Sequence, residues 1–217
     1  MDENTAIKNL KIVKRVLDKY KVPFALIYGT ALGAYRNKGF IPHDNDIDIG
    51  ITEHIDFKTK KDIGWILYGL GFKPAEIGFN VFGRFEQAEP GYNGDEKTGI
   101  IVCEKEGMEL SIFFFYEDDC KTHGKEMTCI PKLGAVKLMS IPSKFFKKLD
   151  TIKFYGDTYS IPGPIEEYLE FTYKDWKDPL GRDRGQTYFE MHPEHLEEIK
   201  DVINKNETCI LKKYEKT

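Results

Sequence analysis

Apolar residues recur at steps of three and four between residues 5 and 20, where Ile7, Leu10, Val13, Leu17 and Tyr20 share one face. That spacing predicts an amphipathic helix, capped by Thr5 or Asn4 and stopped by Val22-Pro23. Phe24 to Tyr28 is a continuous apolar run and reads as a buried strand. Gly29 then allows a sharp turn into a short helix from Thr30 to Tyr35. Residues 44 to 51 alternate acid and apolar, which is the period of a strand. Phe57 to Leu70 is a second helix, with Ile63, Ile66, Leu67 and Leu70 inward and Gly71 as its stop.

Further along, Phe79 to Phe85 and Thr98 to Cys103 read as strands joined by a polar loop at 89–96. Met108 to Tyr116 is a strong strand. Ile152 to Tyr155 and Thr158 to Ile161 form a hairpin around Gly156-Asp157. A helix follows in PGPIEEYLEFTYKDWKDP. Glu166 and Glu167 lie in its first turn, where the helix dipole favours acids. Tyr168, Leu169 and Tyr173 pack inward, with Trp176 as a lid or anchor. A helix from Pro193 to Lys205 and a short tail close the chain. With no repeat and no low-complexity linker, residues 1–217 read as one α/β (α+β) domain. Its sheet is mixed and largely antiparallel, flanked by helices, with a helical C-terminal cap.

The acidic strand changes this picture from architecture to chemistry. Side chains two apart on a strand share a face, so Asp44, Asp46 and Asp48 stack together while Ile47 and Ile49 point away. Mutual repulsion of three carboxylates calls for a cation, and hard Mg²⁺ or Mn²⁺ suits oxygen ligands of this kind. The plainer alternative is a solvated acidic strand. A calcium loop is excluded: counted from Asp44, the sixth residue is Ile49 and the twelfth Ile55, where an EF-hand needs Gly and Glu.

Upstream, the amides after Gly29 and Thr30 face a phosphate if they open a helix. Plain turn chemistry is the other reading of Gly29 and Gly33. Arg36 and Lys38 supply local positive charge for a small anionic substrate, with a structural salt bridge to the acidic strand as the alternative for Arg36. Arg84 and the arginines of GRDRG (181–185) are solvated or reach toward phosphate.

Charged residues make up 31% of the 217 and hydrophobic ones 41%, the balance of a soluble globular chain. The net charge of −4 argues against a nucleic-acid partner. No apolar run approaches the ~20 residues needed to span a bilayer, and MDENTAIKNL lacks a signal-peptide layout. The expectation is a cytoplasmic enzyme, or the soluble catalytic domain of a larger anchored one. Cys103, Cys120, Cys129 and Cys209 are too irregular for a disulfide framework. Cys120, His123 and Cys129 lack the paired spacing of structural zinc and read as a surface loop. No Ser-His or Cys-His pairing suggests a covalent nucleophile.

Taken in order, Gly29, Thr30, Leu32, Gly33, Arg36, Gly39, Ile41, Pro42, Asp44, Asp46 and Asp48 resemble the hallmark of the LicD/fukutin family of nucleotidyltransferases. The Tyr-Leu and Trp-Pro elements of the later helix resemble the family's C-terminal signature. The resemblance covers roughly the first four-fifths of the chain and weakens in the middle. It implies a nucleotidyltransferase-type sheet and Mg²⁺-dependent transfer of a phospho-alcohol from a CDP-linked donor to a glycan or sugar hydroxyl. The implied metal set is Asp44, Asp46 and Asp48, with Asp46 and Asp48 catalytic; Gly29, Thr30, Gly33, Arg36 and Lys38 would hold the donor.

The chain departs at His43 and Asn45, where many members have Trp and Asp. It also departs at Ser111, where the resemblance implies an Asp as third carboxylate. Glu109 shares the strand face of Ser111 and is one methylene longer, so it replaces that Asp as metal ligand or base, or else is an edge charge in water. Two rivals remain: a nucleotidyl transferase using NTP, and a catalytically inactive domain serving binding or assembly.

Overall fold

A computed structural model of the chain describes residues 2–74, 100–120, 124–129, 139–173 and 175–178. The first helix, α1 (Glu3–Lys19), begins earlier than its apolar pattern suggests, because Asp2 caps it. The Asp2 carboxylate accepts from the amides of Asn4 and Thr5, each at 3.3 Å, so Thr5 serves the cap rather than being it. Ala6, Leu10, Val13, Val16 and Leu17 form the buried stripe, at the expected spacing but displaced from Ile7 and Tyr20, which are half-buried. Lys21 turns left-handed at φ 55° and the chain leaves through Val22-Pro23.

The apolar run at 24–28 contributes only a two-residue strand, β1 (Ala25–Leu26). The chain swings sharply at Tyr28, φ 45°, rather than at Gly29. It then enters α2 (Tyr28–Leu32), which continues as a π-helical turn over Gly33–Asn37. Strand β2 (Asp46–Ile51) follows, then α3 (Phe57–Gly69), capped by Asp56 through Thr59 N–H at 2.9 Å. The buried face of α3 is Lys60, Ile63, Gly64 and Leu67. Leu70 is 43% exposed, so the helix is rotated from the expected face. Lys60 is buried with its ammonium 4.7 Å from the centre of the Phe114 ring, which lets a cation occupy an apolar stripe.

Among the described residues the next strands are β3 (Lys73–Pro74), β4 (Ile100–Lys105), β5 (Met108–Phe114), β6 (Tyr116–Cys120), β7 (Gly124–Cys129) and β8 (Met139–Pro142). After them come a short helix α4 (Lys144–Lys147), the hairpin β9 (Asp150–Phe154) and β10 (Asp157–Ile161), and α5 (Ile165–Tyr173). Seven strands form one mixed sheet in the order β3-β4-β5-β2-β1-β10-β9. Its β5–β2 and β1–β10 pairs are parallel, and its β3–β4, β4–β5, β2–β1 and β10–β9 pairs antiparallel. This is the expected α+β architecture of a mixed sheet with helices.

The continuous strand expected at 108–116 breaks at Phe115, and β6 joins a separate three-stranded sheet, β6-β7-β8. The hairpin turn is Tyr155-Gly156, both at positive φ (46° and 86°). Asp157 therefore pairs with Phe154, the turn lying one residue earlier than expected; two positive-φ residues match the twist of the flanking strands.

The backbone groups into two compact units, residues 1–169 and 170–217. The described part of the second is the end of α5 and a turn at Asp175–Asp178. The expected strand at 79–85, the loop at 89–96, Arg84, the GRDRG segment, the helix at 193–205 and the tail lie outside the described residues, as do the side chains of Cys120, His123 and Cys129. Among the described residues no helix is long and apolar enough to cross a membrane.

Candidate active site

Strand β2 lies between β5 and β1, and its odd-numbered residues, Ile47, Ile49 and Ile51, are fully buried. Their alternation sends Asp46 and Asp48 to the opposite face. The parallel register sets Asp46 beside Glu109 and Asp48 beside Ser111. The β4–β5 register adds Glu104 on the other side of Glu109. Asp44 precedes the strand, in a turn closed by its amide on Ile41 O at 3.0 Å.

The crowding of acids is felt at Asp48 and Glu109. Burial, reinforced by Asp46, Asp44 and Glu109, pushes the Asp48 carboxyl well above the ordinary carboxylate range. Burial, then Asp46 and Glu104, also raise Glu109, while a hydrogen bond from the Ser111 hydroxyl partly offsets them. A buried carboxylate surrounded by others is costly to ionise, and a cation is the usual remedy.

The glycine-threonine turn is built onto this strand. Thr30, only 1% exposed, accepts the Asp48 N–H on its Oγ1 at 2.9 Å. Ile27 N–H donates to Asp48 O at 3.2 Å. The Asp48 backbone is therefore held on both sides by the segment that opens α2. At Gly29 a Cβ would overlap Asp44 Oδ2, so any side chain there would have to displace that carboxylate. Gly33 is buried, and a Cβ on it would lie 2.7 Å from Gly39 O. Both glycines let the acidic segment close against the turn.

Gly29→Ala is accordingly expected to push the Asp44 carboxylate aside and to lower the melting temperature. In an Asp44→Ala background the same change should cost much less stability, because contacting residues are not additive. Thermal melts of the four proteins of this cycle check it; an additive result would contradict the clash.

Arg36 is half-buried, with Nε donating to Asn37 Oδ1 at 2.7 Å. Lys38 is exposed, left-handed at φ 57°, and donates to Tyr35 O at 2.7 Å. Both sit at the far end of the α2–π-turn segment from Gly29. Cys103 lies behind the acids on β4, buried, its thiol pushed up to about 12 by burial and then by Glu109, which makes it inert at neutral pH.

Two contacts escaped the sequence reading. The Tyr168 hydroxyl accepts the Tyr28 N–H at 3.0 Å, and the Tyr155 hydroxyl accepts the Phe40 N–H at 3.0 Å. From the sequence Tyr168 has only a packing role, and Tyr155 is only the end of a strand. The available signal was chemical: a buried tyrosine hydroxyl generally needs a partner.

Among the described residues no three of His, Cys, Asp and Glu already converge as a ready cage for a metal ion. The donor set nevertheless fits Mg²⁺ or Mn²⁺. All its members are hard carboxylate oxygens, burial and then mutual repulsion raise Asp48 and Glu109, and Mg²⁺ is commonly held by one or two carboxylates plus substrate phosphate.

This arrangement, a glycine-threonine turn locked to a strand with acids on one face, spans the part of the chain that comparison with known proteins identifies. The family described as LicD/FKTN/FKRP, nucleotidyltransferase domain, matches residues 21–163. The chain belongs to that family. Within it, human ribitol-5-phosphate transferase FKTN is 29% identical over 167 residues, 70% of this chain and 32% of that protein. The chain thus spans about a third of the length of these relatives. Lipopolysaccharide cholinephosphotransferase LicD of Haemophilus influenzae is 53% identical over 32 residues, 15% of this chain and 12% of that protein. The solution structure of the antibiotic-resistance factor ANT(2'')-Ia aligns over 99% of this chain at 12% identity and a TM-score of 0.48. The LicD/FKTN/FKRP match covers β1 through β10, and so includes every acid of the cluster.

Proposed function

We propose that this domain transfers a phospho-alcohol, of the kind named for its relatives (ribitol phosphate or choline phosphate), from a CDP-linked donor to a hydroxyl of a sugar or glycan, releasing CMP. The observation that carries the reading is the carboxylate face of Asp46, Asp48 and Glu109, with the Asp48 backbone bound to the Gly29-Thr30 turn. Membership of the LicD/FKTN/FKRP family supports the donor and acceptor classes.

The acceptor oxygen attacks the phosphorus that bears the alcohol. A new O–P bond forms, and the bond from that phosphorus to the bridging oxygen breaks. CMP leaves with the bridging oxygen and its electron pair. Glu109, which stands beside Asp46 on the neighbouring strand, takes the hydroxyl proton. Asp46 and Asp48 would hold Mg²⁺, with Asp44 supporting them across Gly29. A bound Mg²⁺ neutralises the donor diphosphate and stabilises charge on the leaving oxygen. Gly29 and Thr30 present the start of α2 to the phosphate, Gly33 keeps the turn closed, and Arg36 and Lys38 counter remaining charge. Positioning and neutralisation suffice for phosphoryl transfer, so no covalent nucleophile is required.

Ser111 is the one observation in favour of a binding domain without turnover, since it stands beside Asp48 where the resemblance implies an Asp. The place of Glu109 beside Asp46 on the same sheet face supports the catalytic reading over it. Incubation with a panel of CDP-alcohols and of NTPs, with and without Mg²⁺, distinguishes the readings. CMP is expected from at least one CDP-alcohol. Pyrophosphate from an NTP would identify a nucleotidyl transferase, and neither product a binding domain.

A further inference from the structure

Tyr168 sits on α5, fully buried, 140 residues from the chain segment it touches. Its ring packs edge-on against Phe145 at 5.7 Å, and that packing alone accounts for an aromatic residue. The hydroxyl does something more. It receives the N–H of Tyr28 at 3.0 Å, the first amide of α2, in a residue held at φ 45°. The first amides of a helix have no partner within it, and a positive φ at a bulky residue needs support from its surroundings.

The contacts then run in series. Next to Tyr28, Ile27 N–H holds Asp48 O. One residue past Tyr28, Gly29 abuts the Asp44 carboxylate. Thr30 Oγ1 holds Asp48 N–H. A shift of the Tyr28–Thr30 turn would be passed directly to the backbone of Asp48 and to the carboxylate of Asp44.

We propose that Tyr168 is a positioning residue of this site: its hydroxyl sets where the Tyr28–Thr30 turn stands on β2, and thereby aligns Asp44 and Asp48. The proposal rests on the phosphotransferase reading for its effect on turnover, and on geometry alone for its effect on the turn. It concerns the alignment of groups that reach the donor, because Tyr168 itself is buried and touches the backbone.

The test compares Tyr168→Phe with Tyr159→Phe. Tyr159 is also buried, against Phe24 and Phe154, and its hydroxyl has no hydrogen-bond partner among the described residues. Each substitution deletes one buried phenolic oxygen and keeps the ring. Tyr168→Phe is expected to lower kcat about tenfold to a hundredfold, the scale of a misaligned reacting geometry. Its KM for the donor should change less than about threefold, since alignment acts mainly in the transition state. Tyr159→Phe should stay within about twofold of the parent protein.

Backbone amide exchange provides a readout that needs no substrate. In Tyr168→Phe the amides of Tyr28 and Thr30 should exchange at least about tenfold faster, while those of β5 and β10 keep their parent rates. Equal losses of kcat in both variants, parent-like kcat in Tyr168→Phe, unchanged exchange at 28–30, or a Tyr168→Phe protein that does not fold would each overturn the proposal. If the parent protein turns over no CDP-alcohol, the phosphotransferase reading fails separately. Exchange at 28–30 then decides alone whether Tyr168 sets the turn.

Discussion

Asp48→Asn is expected to abolish turnover and, at neutral pH, to raise the melting temperature of the metal-free protein. The two effects have one cause. Asp48 is 8% exposed, and its charged form is penalised by burial and by Asp46, Asp44 and Glu109. An amide of the same shape removes that penalty while the backbone bonds to Thr30 and Ile27 remain. Each kcal/mol recovered is worth about 2–4 °C for a chain of this size.

The dependence on pH has a definite sign. Because the folded-state pKa of Asp48 is raised above 3.8, the folded protein binds more protons than the unfolded chain between the two values. Stability from this group is therefore full below about pH 3.8 and is lost as pH rises through the folded pKa. The melting-temperature advantage of Asp48→Asn should be near zero in acid and grow toward neutral pH. Mg²⁺ should stabilise the parent protein by mass action and leave Asp48→Asn almost unmoved. Melts across pH, alongside turnover, check this; an active Asp48→Asn enzyme would remove Asp48 from the site. Asp46→Ala should likewise abolish turnover with the fold intact.

Glu109→Gln is expected to reduce the chemical step by about two to four orders of magnitude, the range of a lost general base. Donor affinity should change far less, because Asp46 and Asp48 still hold the cation. Ser111→Asp should partly rescue that enzyme, since Ser111 already stands beside Asp48 and within hydrogen-bonding reach of Glu109. Single-turnover rates and donor titrations of the three proteins measure it. If Glu109→Gln is silent while Ser111→Asp raises the activity of the parent chain, position 109 is an edge charge. Silence in both would mean that the third carboxylate comes from outside β5.

The acidic face was legible in the sequence because period two is unforgiving: once Ile47 and Ile49 are inside, Asp46 and Asp48 share the other side. The pairing of β2 with β5 was not legible, since register is a long-range property; it set Glu109 beside Asp46. The Gly-Thr turn could be located, but its internal geometry could not. Local rules assign positive φ to glycine, yet Tyr28 takes it while Gly29 supplies room for Asp44.

Apolar counting likewise misplaced the face of α3. A lysine can join a buried stripe when its ammonium meets a ring, as Lys60 does over Phe114. The break at Phe115 was hidden because residues 108–116 are uniformly strand-like, and only the sheets show that they are shared between two partners. Tyrosine hydroxyls that fix backbone amides 140 and 115 residues away leave no periodic trace in the chain at all.

The most direct measurement is the mass of the acceptor. A sugar or glycan acceptor incubated with the parent protein, Mg²⁺ and a CDP-alcohol should gain the mass of one alcohol phosphate, with one CMP released for each. Asp46→Ala should produce neither. CMP formed without any gain on the acceptor, or a gain equal to a nucleotide, would contradict phospho-alcohol transfer as the function of this site.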